Sequence, residues 1–165
     1  MKNIAYPYNV GSEFSLFFST GMFNPTQQDS RRFFCETYRK TVAREILTPL
    51  ESMASHWIIQ HPEYETDLAD LNAALEADYS VEQGKANPFL HLALHLTMTE
   101  QISINQPTGI TALFNTLAER LQSEHEAHHI MMECLALKIW ESQRTGMPFD
   151  GAAYIEAIQK MILSS

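Results

Sequence analysis

Five of the seven histidines in this chain fall in two short stretches, His91-Leu-Ala-Leu-His95 and His125-Glu-Ala-His-His129. The imidazole ring is the commonest metal ligand among side chains. Four residues make about one helical turn, so His91 and His95 share a helix face, as do His125, His129 and Glu133. Two such helices packed face to face would close a metal site. The candidate ligands are therefore His91, His95, His125, His129 and Glu133, with His61 and His128 as reserve donors.

The surroundings of these rings carry the argument. At about 100° per residue, His91 and His95 lie among Leu94, Met98 and Ile102, with Glu100 on the far, solvated side. His125 and His129 lie beside Leu121, Met132, Ala136 and Ile139, while Cys134 falls on the back of that helix. His56 sits off the apolar face of its own helix, and His61 returns to it at the end. A buried polar group without a partner costs about 1–3 kcal/mol. One buried histidine is ordinarily a hydrogen-bonded core residue. Two pairs on apolar faces are better explained by a shared cation, which engages several ring nitrogens together. Glu63, Glu126 and Tyr64 are available as acceptors for the remaining ring N–H groups.

A nitrogen-rich, carboxylate-poor donor set suits zinc, iron, nickel or copper rather than magnesium or calcium, with zinc or non-haem iron first. A structural zinc takes four protein ligands and a catalytic one three plus water. Di-iron bundles of the ferritin type need two Glu-x-x-His steps, and this chain has one, Glu126-Ala-His-His129. His129-Ile-Met-Met-Glu133 and His91–His95 look like the His-x-x-x-Glu and His-x-x-x-His steps of hemerythrin-like bundles, which implies oxygen binding, sensing or redox work. His125-Glu126-Ala-His-His129 also satisfies the His-Glu-x-x-His pattern of zinc hydrolases, with Glu126 as general base. No third ligand or cleft for that chemistry is visible. Whether the chain is an enzyme stays open at this point.

The elements that must position these residues are helical. Asp29 or Ser30 can cap a helix with the stripe Phe33, Phe34, Tyr38, Val42 and Ile46. Thr48-Pro49-Leu50-Glu51 combines an N-cap, a proline at the first helical position and a capping box. The helix it starts places Leu50, Met53, Ala54, Trp57 and Ile58 on one face and stops near His61, because of Pro62. A short helix follows over 68–75, then a loop over 78–86. Asn87-Pro88 opens the first histidine helix, to about 102, and Gln106-Pro-Thr-Gly109 turns the chain. Ile110, Leu113, Phe114, Leu117 and Leu121 mark the next helix. Ser123-Glu-His-Glu126 starts the second histidine helix, which runs to about 144, and Asp150 caps a last one over 152–163. No strand pattern of similar strength appears. The expected fold is all-α: an antiparallel bundle of four main helices with shorter ones, one domain over 22–165 behind an irregular extension over 1–21.

Composition narrows the function classes. The chain has 165 residues, 45% of them hydrophobic and 19% charged, the composition of a globular domain. Twenty acids against eleven bases give a formal charge of -9, and no basic cluster exists to neutralise phosphates. Nucleic acid and anionic membranes are excluded as partners on this ground. No apolar run approaches the roughly 20 residues of a membrane span, and the first residues do not form a clean signal peptide, so a cytoplasmic location is expected. Cys35 and Cys134 read as separate reduced thiols, not a disulfide framework. The rival to a metal protein is a metal-free interaction module. It would dock a partner, or a second copy of the chain, through its acidic surface and Phe14, Phe17, Phe18 and Phe23.

From Met22 onward the chain resembles an uncharacterised bacterial family, domain of unknown function eighteen forty-one. The resemblance rests on Met22-Phe-Asn-Pro25, Arg31-Arg-Phe-Phe34, His61-Pro-Glu-Tyr64, Asn87-Pro-Phe-Leu-His-Leu-Ala-Leu-His95, Gln106-Pro-Thr-Gly-Ile110, His125-Glu-Ala-His-His129 and Met132-Glu-Cys-Leu135. It covers nearly all of 22–160. Glu65 stands where members often carry a second histidine. The family name implies no activity; it supports the choice of segments.

Overall fold

Local capping signals place the helices. A computed structural model of the chain describes residues 26–79 and 86–164. The extension over 1–21 and the four phenylalanines of the interaction reading lie outside them. Among the described residues there are eight α-helices and no strand, so the fold is all-α as expected. The described backbone groups into two compact units that divide between Leu96 and Thr97.

In the first unit, α1 spans Gln27–Ala43. Its cap is Thr26 and not Asp29 or Ser30. The Thr26 hydroxyl accepts from the Asp29 N–H, and the Asp29 carboxylate accepts from the Thr26 N–H. Asp29 thus sits inside the first turn as the reciprocal half of a capping box. The helix stops at Ala43 because Arg44 takes a left-handed conformation, φ 56°. That stop explains why Ile46 is 96% exposed; Val42, still inside α1, is exposed too. The expected stripe is real at Phe34, which is buried, and has left the helix by Ile46.

Thr48 caps α2, Pro49–Gln60, with Glu51 completing the box as expected. Lys40 of α1 donates to Glu51 at 2.7 Å and ties the two helices. Ala54, Trp57 and Ile58 are buried, whereas Leu50 and Met53 are half open to water. A 3₁₀ turn, Pro62–Tyr64, leads into α3, Glu65–Ala69, and α4, Leu71–Glu76. The single helix expected over 68–75 is broken at Asp70, whose carboxylate accepts from the Asn72 and Ala73 N–H groups and so starts a new helix. Arg31 is buried for a clear reason: it donates to the carbonyls of Ala74, Leu75 and Ala77, the open end of α4. Helix α5, Pro88–Ile104, begins where Asn87 accepts from the Phe89 and Leu90 N–H groups. Its first turns contribute Phe89, Leu92, Ala93 and Leu96 to a core with Phe34, Ala54, Trp57, Ile58, Tyr64 and Leu68.

The second unit holds the end of α5 with α6, Ile110–Leu121, α7, Glu124–Thr145, and α8, Gly151–Ser164. Helices α6, α7 and α8 pack on one another. They bury Ile110, Phe114 and Leu117, Met131, Met132, Leu135 and Ile139, and Tyr154 and Ile158. Ser123 caps α7 by accepting from the Glu126 N–H at 3.1 Å, and Gly146, φ 67°, ends it in a conformation that favours glycine. Cys134 is buried, although it falls behind the histidine stripe, because α7 is covered on several sides. Glu100 is half-buried rather than fully solvated.

Candidate metal centre

The first unit brings three imidazoles into contact. His61 ends α2: Pro62 cannot follow a residue in the helical region without a clash, and His61 turns out of the helix at φ −124°, ψ 63°. This turn carries its ring into the core, where it is 2% exposed. His91 and His95 are one turn apart on α5, 3% and 0% exposed, with ring centroids 4.8 Å apart. The three Nε2 atoms form a closed triangle. His61 to His95 is 3.0 Å, His61 to His91 is 3.3 Å and His95 to His91 is 3.1 Å.

Hydrogen bonding by itself does not build such a triangle. Each imidazole nitrogen has one in-plane position, which holds either a hydrogen or a lone pair. One hydrogen therefore joins one pair of nitrogens, and three mutual contacts are not all hydrogen bonds at once. A cation at the centre could accept all three lone pairs at once. Metal–nitrogen bonds of about 2.0–2.1 Å in tetrahedral geometry set the donors about 3.3–3.4 Å apart. The observed edges are at or slightly inside that spacing.

The tautomers and orientations also fit. Glu63, two residues beyond His61, accepts from the His61 Nδ1–H at 2.8 Å. A carboxylate accepting at Nδ1 leaves Nε2 of the neutral ring with its lone pair toward the triangle, the arrangement that orients metal-bound histidine. Trp57 stacks on His95, centroids 4.0 Å apart and planes 18° apart. Tyr64 stacks on His61 at 5.3 Å and meets His91 edge-on at 5.6 Å. Burial and the nearby Glu63 and Asp67 carboxylates hold the Tyr64 hydroxyl well above its ordinary range, so it stays protonated. The rings are thus fixed by packing.

The second unit carries its candidates on α7. His125 and His129 are half-buried, their ring centroids 4.4 Å apart and their nearest donor nitrogens within 4.8 Å. His128 is buried with its ring edge-on to Phe114 at 5.2 Å. Glu133 lies at the exposed surface of α7, and Glu126 is exposed in its first turn. His56 is exposed and shares a contact with Gln60. The free thiols, Cys35 and Cys134, are buried, which pushes each up to about 11 and keeps them protonated.

Sequence spacing alone identifies His91 and His95 and the pair His125 and His129. It holds His61 in reserve, because a lone histidine at a helix end has a ready electrostatic explanation; the structure sets that ring against His91 and His95. The missed signal is the whole turn His61-Pro-Glu-Tyr64: a buried imidazole, a helix stop, an acceptor and a stacking ring in four consecutive residues. Glu63 fills the acceptor role expected of it; Tyr64 contributes its ring face instead. Among the described residues, clustered histidines are therefore in place that can hold a metal ion, and no helix is long and apolar enough to cross a membrane.

The profile of one family, described as Domain of unknown function (DUF1841), matches residues 26–160. No curated protein and no solved structure is similar enough to match.

Proposed function

We propose that this chain, which belongs to the DUF1841 family, binds a transition-metal ion through His61, His91 and His95. The single observation behind this reading is the Nε2 triangle, with edges of 3.0, 3.1 and 3.3 Å, formed by almost wholly buried rings. Neutral imidazoles favour zinc or non-haem iron, with nickel and copper as competitors, over magnesium or calcium. His125 and His129 are proposed as a further donor set of the same chemistry, with His128 and Glu133 in reserve. A three-histidine face is also the donor set of catalytic zinc, so redox, sensing and hydrolytic roles all follow from this reading.

Elemental analysis of protein purified without a His-tag tests it. Wild-type protein should carry metal in stoichiometric amount. His61→Ala and His95→Ala should lose it while retaining helical circular dichroism. Metal-free wild-type protein that gains no thermal stability from zinc, iron, nickel or copper would overturn the reading. One observation favours a second reading, an interaction module: Val42, Ile46 and Ile59 are largely exposed on the first unit. Under that reading the histidines are core residues, and concentration-dependent association without metal is the expected result.

A further inference from the structure

We propose that the outward side of α2 is the docking surface for this chain's own N-terminal arm, residues 14–23. The proposal is independent of the metal reading. An exposed helix side ordinarily turns charges to water. Helix α2 turns Pro49, Ser52, Met53, His56 and Ile59 outward, and none of these is an acid, a lysine or an arginine. Its one carboxylate, Glu51, is buried against Lys40. Ile59 is 66% exposed, Met53 40%, and Ile46, in the link that leads into α2, 96%. A neutral side studded with exposed apolar groups has the character of a contact surface.

The arm fits that side in composition and in length. Between Lys2 and Asp29 the sequence carries one charged residue, Glu13, and residues 14–23 hold Phe14, Phe17, Phe18 and Phe23 with Leu16 and Met22. Neutral side chains that meet a neutral face desolvate no ion, so the gain from burying aromatic surface is kept. A strongly basic or acidic partner would find no counter-charge here. A second copy would bring its own formal charge of -9 and the repulsion that goes with it. The described chain begins at Thr26, the cap of α1. Helix α1 has 17 residues, about 25 Å of length, and α2 packs on it. An extended chain covers about 3.3 Å per residue, so Phe23 reaches about 10 Å from Thr26 and Phe14 about 40 Å. The four phenylalanines therefore span the distances at which α2 lies along α1.

Thiol labelling of the full-length chain tests the contact. Cys35 and Cys134 are buried and give a slow background. Ile59→Cys places a reactive thiol on the face. An arm docked about nine-tenths of the time leaves that thiol open for about one-tenth. Its reaction with a disulfide reagent should then be about tenfold slower than in the same chain carrying Phe17→Ser and Phe18→Ser. The slowing should not change with protein concentration. Ala69→Cys, at an exposed position of α3, should react within about twofold of the same rate with either arm. Ile59→Lys, which sets an ammonium on the face, should speed chymotryptic cleavage within 14–23 about tenfold while helical circular dichroism is retained. Labelling of Ile59→Cys that ignores the arm substitutions, or an equal acceleration in Ala69→Cys, would overturn the proposal. So would protection that grows with protein concentration, which would assign the face to a second copy.

Discussion

The pairs His91–His95 and His125–His129 have the same spacing and nearly the same ring separation, 4.8 and 4.4 Å. Helix geometry accounts for that likeness completely. Their surroundings differ. The first pair is almost fully buried, meets a third imidazole from the end of α2, and has Trp57 and Tyr64 fixing the ring planes. The second pair is half-buried in the first turns of α7, and the third histidine of that stretch turns to Phe114. An i, i+4 pair is thus a common local feature. In the first unit another element supplies a third ring and the packing that holds all three.

Breaking the two pairs separately should give the largest difference. His95→Ala should lower metal affinity by at least about 100-fold, and His129→Ala by about tenfold, in competition titrations with a chromogenic chelator. Equal losses would show that preorganisation does not distinguish the pairs. The caps come next, since each pair depends on a helix start. Thr48→Ala removes the box that starts α2 and Ser123→Ala the cap of α7. Each should cost about 1 kcal/mol in urea unfolding. The α2 variant should also weaken metal binding, because α2 carries Trp57 and His61.

A smaller effect is set by pH. The Lys40 ammonium and the Thr48 N–H hold the Glu51 carboxyl below its ordinary range. A carboxyl depressed in the folded state stabilises the fold above its unfolded value, about 4.3, and that contribution disappears as pH falls through the lower folded value. Lys40→Met should therefore flatten the acid limb of the stability curve below about pH 5. The smallest contrast is between the thiols. Burial raises Cys35 and Cys134 alike to about 11, so both should react slowly with a disulfide reagent at neutral pH until the protein is denatured. Fast reaction of either would show that its unit opens in the native state.

Much of this architecture is legible in the sequence, for identifiable reasons. Thr48-Pro49 and Asn87-Pro88 encode helix starts locally, and Pro62 encodes a stop, so α2 and α5 follow from a few residues each. Local rules failed where two of them competed. Asp29 looks like a cap and serves as its partner, because Thr26 three residues earlier accepts from it. Asp70 divides a region whose apolar spacing suggests one helix. The site shows the same division. Spacing exposes His91 and His95, since one helix places both. The nearness of His61 depends on how α2 and α5 pack, and no periodicity carries that. Only the run His61-Pro-Glu-Tyr64 hints at it, and its meaning emerges when Glu63 and Tyr64 are seen to flank the same ring.

X-ray absorption at the metal edge of tag-free, stoichiometrically loaded protein tests the central claim most directly. The account predicts a nitrogen shell at about 2.0–2.1 Å with the multiple scattering of at least three imidazoles, reduced by one ring in His61→Ala. An oxygen-dominated shell without imidazole scattering, or a spectrum unchanged by that substitution, would contradict it.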